Sequence, residues 1–224
     1  MPLYEKISEP IKVAVITGSH PFEVINFHHL FRSMTNVDAY IQHINDFACS
    51  AQEVRDSYDV LLFYHFILEM PKDEGIPWYE GTPKTALEHL RDTHQGIVVL
   101  HHGILSFQDW QVWNDIVGIP DRKWDNHVGQ NINIKITDPA HPITFELKDW
   151  EMVDETYTMA SASEGSQALL TVEHPLSMQV LGWAREYKNS RVFCYQSGHD
   201  DLAYSDPNYR VVLERGIKWV ARRI

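Results

Sequence analysis

Four apolar residues, 97–100, run without interruption into His101, His102 and Gly103. A run this short and this apolar fits a strand covered on both faces, the kind found inside a parallel sheet. Gly103 permits a sharp turn directly after it, and a helix-like segment follows from about Phe107. Two imidazoles therefore stand at the carboxyl end of a central strand, which is the edge where open α/β sheets bind ligands.

The same plan repeats along the first half. Residues 11–16 form a strand ended by Thr17-Gly18-Ser19-His20, residues 37–44 a second, and residues 58–64 a third ended by His65. Helical patterns cover 22–34 and 83–94, the latter with Pro83 in its first turn, and residues 45–57 read as a loop with a short helix. Strand and helix in alternation imply parallel strands with right-handed crossovers. Residues 67–82 are a long polar excursion holding Pro71, Gly75, Pro77 and Gly81, a length typical of lids or binding loops. Past Gly118 the texture changes. Residues 130–137 alternate apolar and polar, and 152–153, 168–172, 180–187 and 191–196 supply further strands with short connections. This half reads as a partly antiparallel extension that rejoins the main sheet through 191–196, before a last helix over 207–222. With no linker rich in Pro, Gly or Ser, residues 1–224 are expected to form one domain, residues 1–10 being a short arm.

The formal net charge of −12 argues against nucleic acid or an anionic membrane as partner. Two cysteines, Cys49 and Cys194, give no disulfide framework, and Cys194 in an apolar run reads as a buried thiol. The first residues lack the apolar core of a signal peptide, and no apolar run approaches a membrane span, so a cytoplasmic location is expected.

The unusual count is 13 histidines. His20, His65, His101, His102 and His199 each follow the carboxyl end of an expected parallel strand. His28, His29, His89 and His94 fall on helices, His43 in a strand, and His141 and His174 in turns. His127 belongs to Trp124-Asp125-Asn126-His127-Val128-Gly129, which mixes polar and aromatic groups as a binding loop does. Three chemistries are open to such a cluster. Imidazole is a zinc ligand, and His20, His102 and His199 are the candidate set for zinc or another divalent metal, without an HExxH helix or a CxxC pair to support it. Imidazole beside a carboxylate, here Glu155 or Asp200, exchanges protons near neutral pH. Nucleophilic catalysis is the poorest fit, because no Ser or Cys occupies residues 100–103. Trp110 and Trp124 near these groups suit the C–H faces of a sugar ring, whereas Trp183 and Trp219 read as core.

The ordered set of motifs resembles the trehalose-utilisation (ThuA-like) family. The likeness runs from Val15-Ile16-Thr17-Gly18-Ser19-His20 through His101-His102-Gly103, Phe107, Trp110, Trp113, Gly118 and His127. It continues through His141-Pro142-Ile143-Thr144, Asp154-Glu155-Thr156-Tyr157, Gly198-His199 and Arg215-Gly216-Ile217-Lys218-Trp219. The chain departs from the family pattern at Gln179-Val180-Leu181-Gly182, where a proline is usual, and at Lys188-Asn189-Ser190, where a Gly-rich turn is usual. The resemblance implies a flavodoxin-like, class I glutamine amidotransferase-like three-layer α/β/α sandwich. It also implies that His101 or His102 stands where an amidotransferase has its cysteine, and a role in using trehalose and related disaccharides by way of 3-keto sugars.

The expected function is an enzyme acting on a sugar or 3-keto sugar. His101, His102, Glu155 and His199 would carry the chemistry, while His20, His65, Trp110, Trp124, His127 and Asp200 would shape the substrate pocket. A non-catalytic sugar- or partner-binding module and a zinc-dependent hydrolase are the alternatives. The expected partner is a small sugar, homo-oligomerisation is left open, and no cofactor is required beyond an optional divalent metal.

Overall fold

A computed structural model, describing residues 9–224, gathers nine strands into one sheet. Residues 1–8 of the expected arm lie outside the described residues. In chain order the strands are β1 (Ile11–Gly18), β2 (Val37–His43), β3 (Val60–His65), β4 (Gly96–Leu100), β5 (Asp125–Ile136), β6 (Trp150–Thr158), β7 (Gln167–Val172), β8 (Val180–Tyr187) and β9 (Ser190–Tyr195). They lie in the order β2-β1-β3-β4-β9-β8-β7-β5-β6. The first five are parallel and the remaining pairings antiparallel. β3 and β4 are buried along their whole length, as their unbroken apolar runs require.

The helices are α1 (Val24–Arg32), α2 (Ile44–Cys49), α3 (Gln52–Arg55), α4 (Pro83–Glu88), α5 (Gln111–Val117), α6 (Asp201–Ser205) and α7 (Pro207–Val220). Their ends follow local chemistry. The Asp206 carboxylate accepts from the Tyr209 N–H at 2.8 Å, and Pro207 opens the first turn of α7. Gly118 closes α5 in the left-handed region at φ 82°. The single helix expected over 83–94 divides into α4 and a 3₁₀ turn over His89–Asp92. The segment expected to be helical from about Phe107 becomes helical only at Gln111 in α5, and a 3₁₀ turn at His101–Leu105 precedes it. β5 starts earlier than the alternating residues foretell, and a bulge between His127 and Gln130 bends it.

The excursion over 67–82 is tied down. The Asp73 carboxylate accepts from the Lys84 and Thr85 N–H groups at 2.9 and 3.1 Å and from the Thr85 hydroxyl at 2.6 Å, so the loop is clamped to the start of α4. Core packing reaches the sheet edge through Trp113, whose indole N–H donates to the Gly103 carbonyl at 3.0 Å. Trp183 and Cys194 are fully buried as their surroundings in the sequence require, and burial pushes the Cys194 thiol up, out of reach of a thiolate role.

Candidate functional site

The turn after β4 is an elbow. His101 leaves the strand at φ 50°, a left-handed conformation that costs a non-glycine residue about 1–3 kcal/mol and is held only by surrounding contacts. Gly103 shows what holds it. A Cβ on Gly103 would lie 2.5 Å from the Phe63 carbonyl oxygen, so only glycine lets the turn close against β3. His101 is thus turned into the interior of the sheet edge, where it is fully buried.

Two further segments meet it there. Glu155 and Tyr157, two residues apart on β6, share a face. His199 comes from the connection between β9 and α6. The His101 Nε2 lies 3.1 Å from Glu155 Oε2 and 2.8 Å from the Tyr157 hydroxyl, and His199 Nδ1 lies 3.2 Å from the same Glu155 oxygen and 3.3 Å from His101 Nε2. The other ring nitrogen of His101, Nδ1, is 2.7 Å from the Gln196 carbonyl. A carbonyl only accepts, so Nδ1 carries a proton and donates it there. Asn126 Nδ2 donates to Glu155 Oε1 at 2.9 Å. Asp154 braces the ring of contacts from behind: its buried carboxylate accepts from the N–H groups of Glu155, Gly198 and His199 at 2.9, 2.9 and 3.1 Å.

The electrostatics follow. Burial pushes the Glu155 carboxyl up, but the hydrogen bonds from His101 and His199, the His101 charge and the Asn126 amide together outweigh it and hold the group well below the usual carboxylate range. The hydrogen bond to Glu155 raises His199 above the ordinary imidazole value against the opposing effect of burial. His102 behaves in the opposite way: burial, with the neighbouring His101 and His20, takes it down to about 2.

The remaining expected residues divide. His102 donates from Nε2 to the Tyr64 carbonyl at 3.0 Å, and His20 stacks on it with ring centroids 4.3 Å apart. Since His20 also turns Nδ1 to the Pro21 carbonyl at 2.7 Å, the expected metal set of His20, His102 and His199 does not form. The donors that converge are His101, Glu155 and His199. Trp124 reaches the His20–His102 pair by way of Phe66, which lies 5.9 Å from Trp124 and from each of the two imidazoles. Four other expected residues stand outside this group. His65 is fully buried among Phe63, Phe107 and Trp113 and cannot meet a substrate. Trp110, 5% exposed, packs on Phe107 in the core. Asp200 is the N-cap of α6, accepting from the Leu202 N–H at 3.0 Å. His127 pairs in register with Thr156 and bonds Thr158 Oγ1 at 2.9 Å, which puts it on the face of the hairpin opposite Glu155 and Tyr157.

Sequence reasoning missed Tyr157, Asn126 and Asp154. Asn126 stands one residue from His127, and the alternation of β5 against β6 is the signal that would have exchanged them. A cleft lined by Asp56, His89, Asp92 and Arg222 lies at the opposite end of the parallel strands. Its His89–Asp56 pair, 3.1 Å apart and joined by Gln52, is more exposed than the elbow group and brings one imidazole rather than two to one carboxylate, so the site is placed at the elbow.

A family model described as trehalose utilisation, ThuA, matches residues 16–220. The chain belongs to the ThuA family. Among solved structures it is similar to a ThuA-like protein from Parabacteroides merdae, with a TM-score of 0.70 at 20% identity, covering 95% of this chain and 90% of that one. A cytoplasmic protein from Salmonella typhimurium LT2 gives a TM-score of 0.65 at 16% identity, covering 93% and 99% of the two chains. A GMP synthase subunit protein from Thermoplasma acidophilum gives 0.58 at 12% identity, covering 96% of each. No curated protein matches the chain. These likenesses show the fold: a ThuA chain is built on the three-layer glutamine amidotransferase plan, with its elbow at His101 and an antiparallel extension beyond β9. Among the described residues no helix is long and apolar enough to cross a membrane.

Proposed function

We propose that this ThuA chain is an enzyme of disaccharide use that moves a proton on a sugar oxidised to its 3-keto form. The family description supports a role in using trehalose. The observation that carries the chemistry is the pairing of two unlike imidazoles across one carboxylate. His101 donates from Nδ1 to the Gln196 carbonyl, while His199 turns Nδ1 to Glu155, which raises its hold on a proton above that of an ordinary imidazole. The two rings stand 3.3 Å apart, close enough for a proton to pass between them. Such a pair acts on a carbon acid whose proton leaves from one position as an oxygen nearby gains one.

A keto group acidifies the hydrogen on the adjacent ring carbon. His199, with 23% of its side chain exposed against 0% for His101, would take that proton, and His101 and Glu155 behind it would hold its ring and share its charge. Trp124 and Phe66, beside the stacked His20 and His102, offer an apolar face for the ring. We place the reaction in the cytoplasm, with a small sugar as partner.

The test follows solvent deuterium entering a panel of 3-keto disaccharides, read by NMR. Wild-type protein should exchange the hydrogen next to the keto group. His199→Ala should slow exchange by about 10²–10⁴-fold with an unchanged circular dichroism spectrum. No exchange by wild type on any member, or full exchange by a folded His199→Ala, would overturn the proposal.

A further inference from the structure

The structure assigns a divalent transition-metal site to His101 Nε2, Glu155 Oε2 and His199 Nδ1. The inference goes beyond the proton-transfer reading: with an ion bound, His101 Nε2 and His199 Nδ1 hold it in place of a shared proton. They form a nearly equilateral triangle with edges of 3.1, 3.2 and 3.3 Å. Ligand atoms held at about 2.0–2.2 Å from one ion are separated by about 2.8–3.6 Å, from octahedral to tetrahedral angles, so the triangle has the size of one face of such a coordination shell. Calcium takes about six to eight oxygen ligands, and two of these three donors are nitrogens, so the set does not suit it. Two imidazoles and a carboxylate suit zinc and its first-row neighbours.

The surroundings are those of a ligand set rather than of an ion pair alone. The Nδ1–H of His101 is committed to the Gln196 carbonyl, which fixes the tautomer and aims the Nε2 lone pair at the centre. The Glu155 oxygen outside the triangle is held by Asn126 Nδ2 at 2.9 Å. The segment carrying His199 is pinned by Asp154 through the Gly198 and His199 N–H groups. Each ligand therefore has its own support, and the three come from elements far apart in sequence. A lone pair, a carboxylate oxygen and a second ring nitrogen converging this closely need a proton or a cation among them, and a cation satisfies all three at once. His101 and Glu155 have side-chain exposures of 0% and 8%, while that of His199 is 23%, so the face toward His199 is the side from which an ion and further ligands arrive. The Tyr157 hydroxyl, 2.8 Å from His101 Nε2 and 3.1 Å from Glu155 Oε2, is placed to hydrogen-bond a water or substrate oxygen on the ion. Three protein ligands with open positions make a catalytic rather than a structural site. In a keto sugar the carbonyl and neighbouring hydroxyl oxygens are the donors that would fill those positions.

The experiment uses the full chain stripped with chelator, titrated with zinc chloride by calorimetry and with cobalt(II) by visible absorption, without any sugar. One equivalent should bind, with the cobalt complex showing the bands of nitrogen and oxygen ligation. His199→Ala should weaken zinc binding by more than about 100-fold, and Asn126→Ala by about 10–100-fold through loss of carboxylate support. Circular dichroism and the thermal midpoint of each stripped variant confirm that it is folded, and Asn126→Ala keeps the test sound if removing a ligand impairs folding. Absence of binding, or binding that both folded variants retain at full strength, would overturn the assignment. Since no substrate enters, this result stands apart from deuterium exchange: a metal-binding protein that exchanges nothing, or the reverse, separates the two proposals.

Discussion

Two histidines at the sheet edge, His65 and His102, are buried in a way that resists protonation, and their acid response defines the chain at the scale of single residues. Burial takes His65 down to about 3 and His102 to about 2, well below the ordinary imidazole value. The unfolded chain therefore binds protons that the folded one refuses once the pH drops below about 6.5, and stability is lost as pH falls from there toward those lowered values. Glu155, whose folded value is depressed, acts in the same direction: its contribution is present above the ordinary carboxylate range and is lost as the pH falls through it. His199 acts oppositely. Its folded value is raised, so its contribution is full at low pH and is lost as pH rises through that value. Urea unfolding from pH 7 to pH 4 should show a steep fall in stability. His65→Leu should flatten that slope by about 1.4 kcal/mol per pH unit, the share of one proton. An unchanged slope would show that His65 is not held neutral.

Among the elements, the elbow after β4 is the most constrained. His101 adopts a left-handed conformation only because Gly103 lets the 3₁₀ turn press on β3. A methyl group on Gly103 would have to displace the Phe63 carbonyl, which is part of the sheet and cannot give way cheaply. Gly103→Ala should lower stability by about 2–4 kcal/mol and reduce turnover further than that loss explains, since it moves His101 relative to Glu155. Denaturant midpoints read against deuterium exchange at a temperature where the variant is folded would check both. Wild-type stability in Gly103→Ala would mean that the elbow relaxes freely. On β6, alternation does the positioning: Glu155 and Tyr157 face the elbow, and Thr156 and Thr158 face away with His127.

For the whole molecule, the antiparallel extension is what completes the site. β5 and β6 lie at the far end of the sheet order, yet β6 supplies Glu155, Tyr157 and Asp154 to an elbow on β4. The two halves are joined through Asp154, whose carboxylate takes three backbone N–H groups, two of them in the segment that carries His199. Asp154→Asn keeps the shape but replaces one acceptor oxygen with a donor, facing N–H groups that cannot accept. It should lower kcat for deuterium exchange by about tenfold or more with little change in KM, and cost about 1–3 kcal/mol of stability. An unaltered kcat would show that the segment holding His199 is fixed by other contacts.

The amino-acid sequence by itself determined the parallel half of the sheet and the edge at which the site lies. Short unbroken apolar runs such as 60–64 and 97–100 bury on both faces inside a parallel sheet, and His65, His101 and His102 follow such runs. Glu155 was legible as a carboxylate partner because its motif is local. What only the tertiary structure decided is which histidines meet. His20, His65 and His102 sit at the same edge as His101, but a strand end fixes position and not direction. Stacking sends His20 and His102 toward one another, apolar packing seals His65 away, and a left-handed turn points His101 at a carboxylate 54 residues on in the chain. Asn126 and Tyr157 became visible for the same reason. Their roles depend on the register and face of a hairpin, which a single sequence leaves undetermined until the strands are paired.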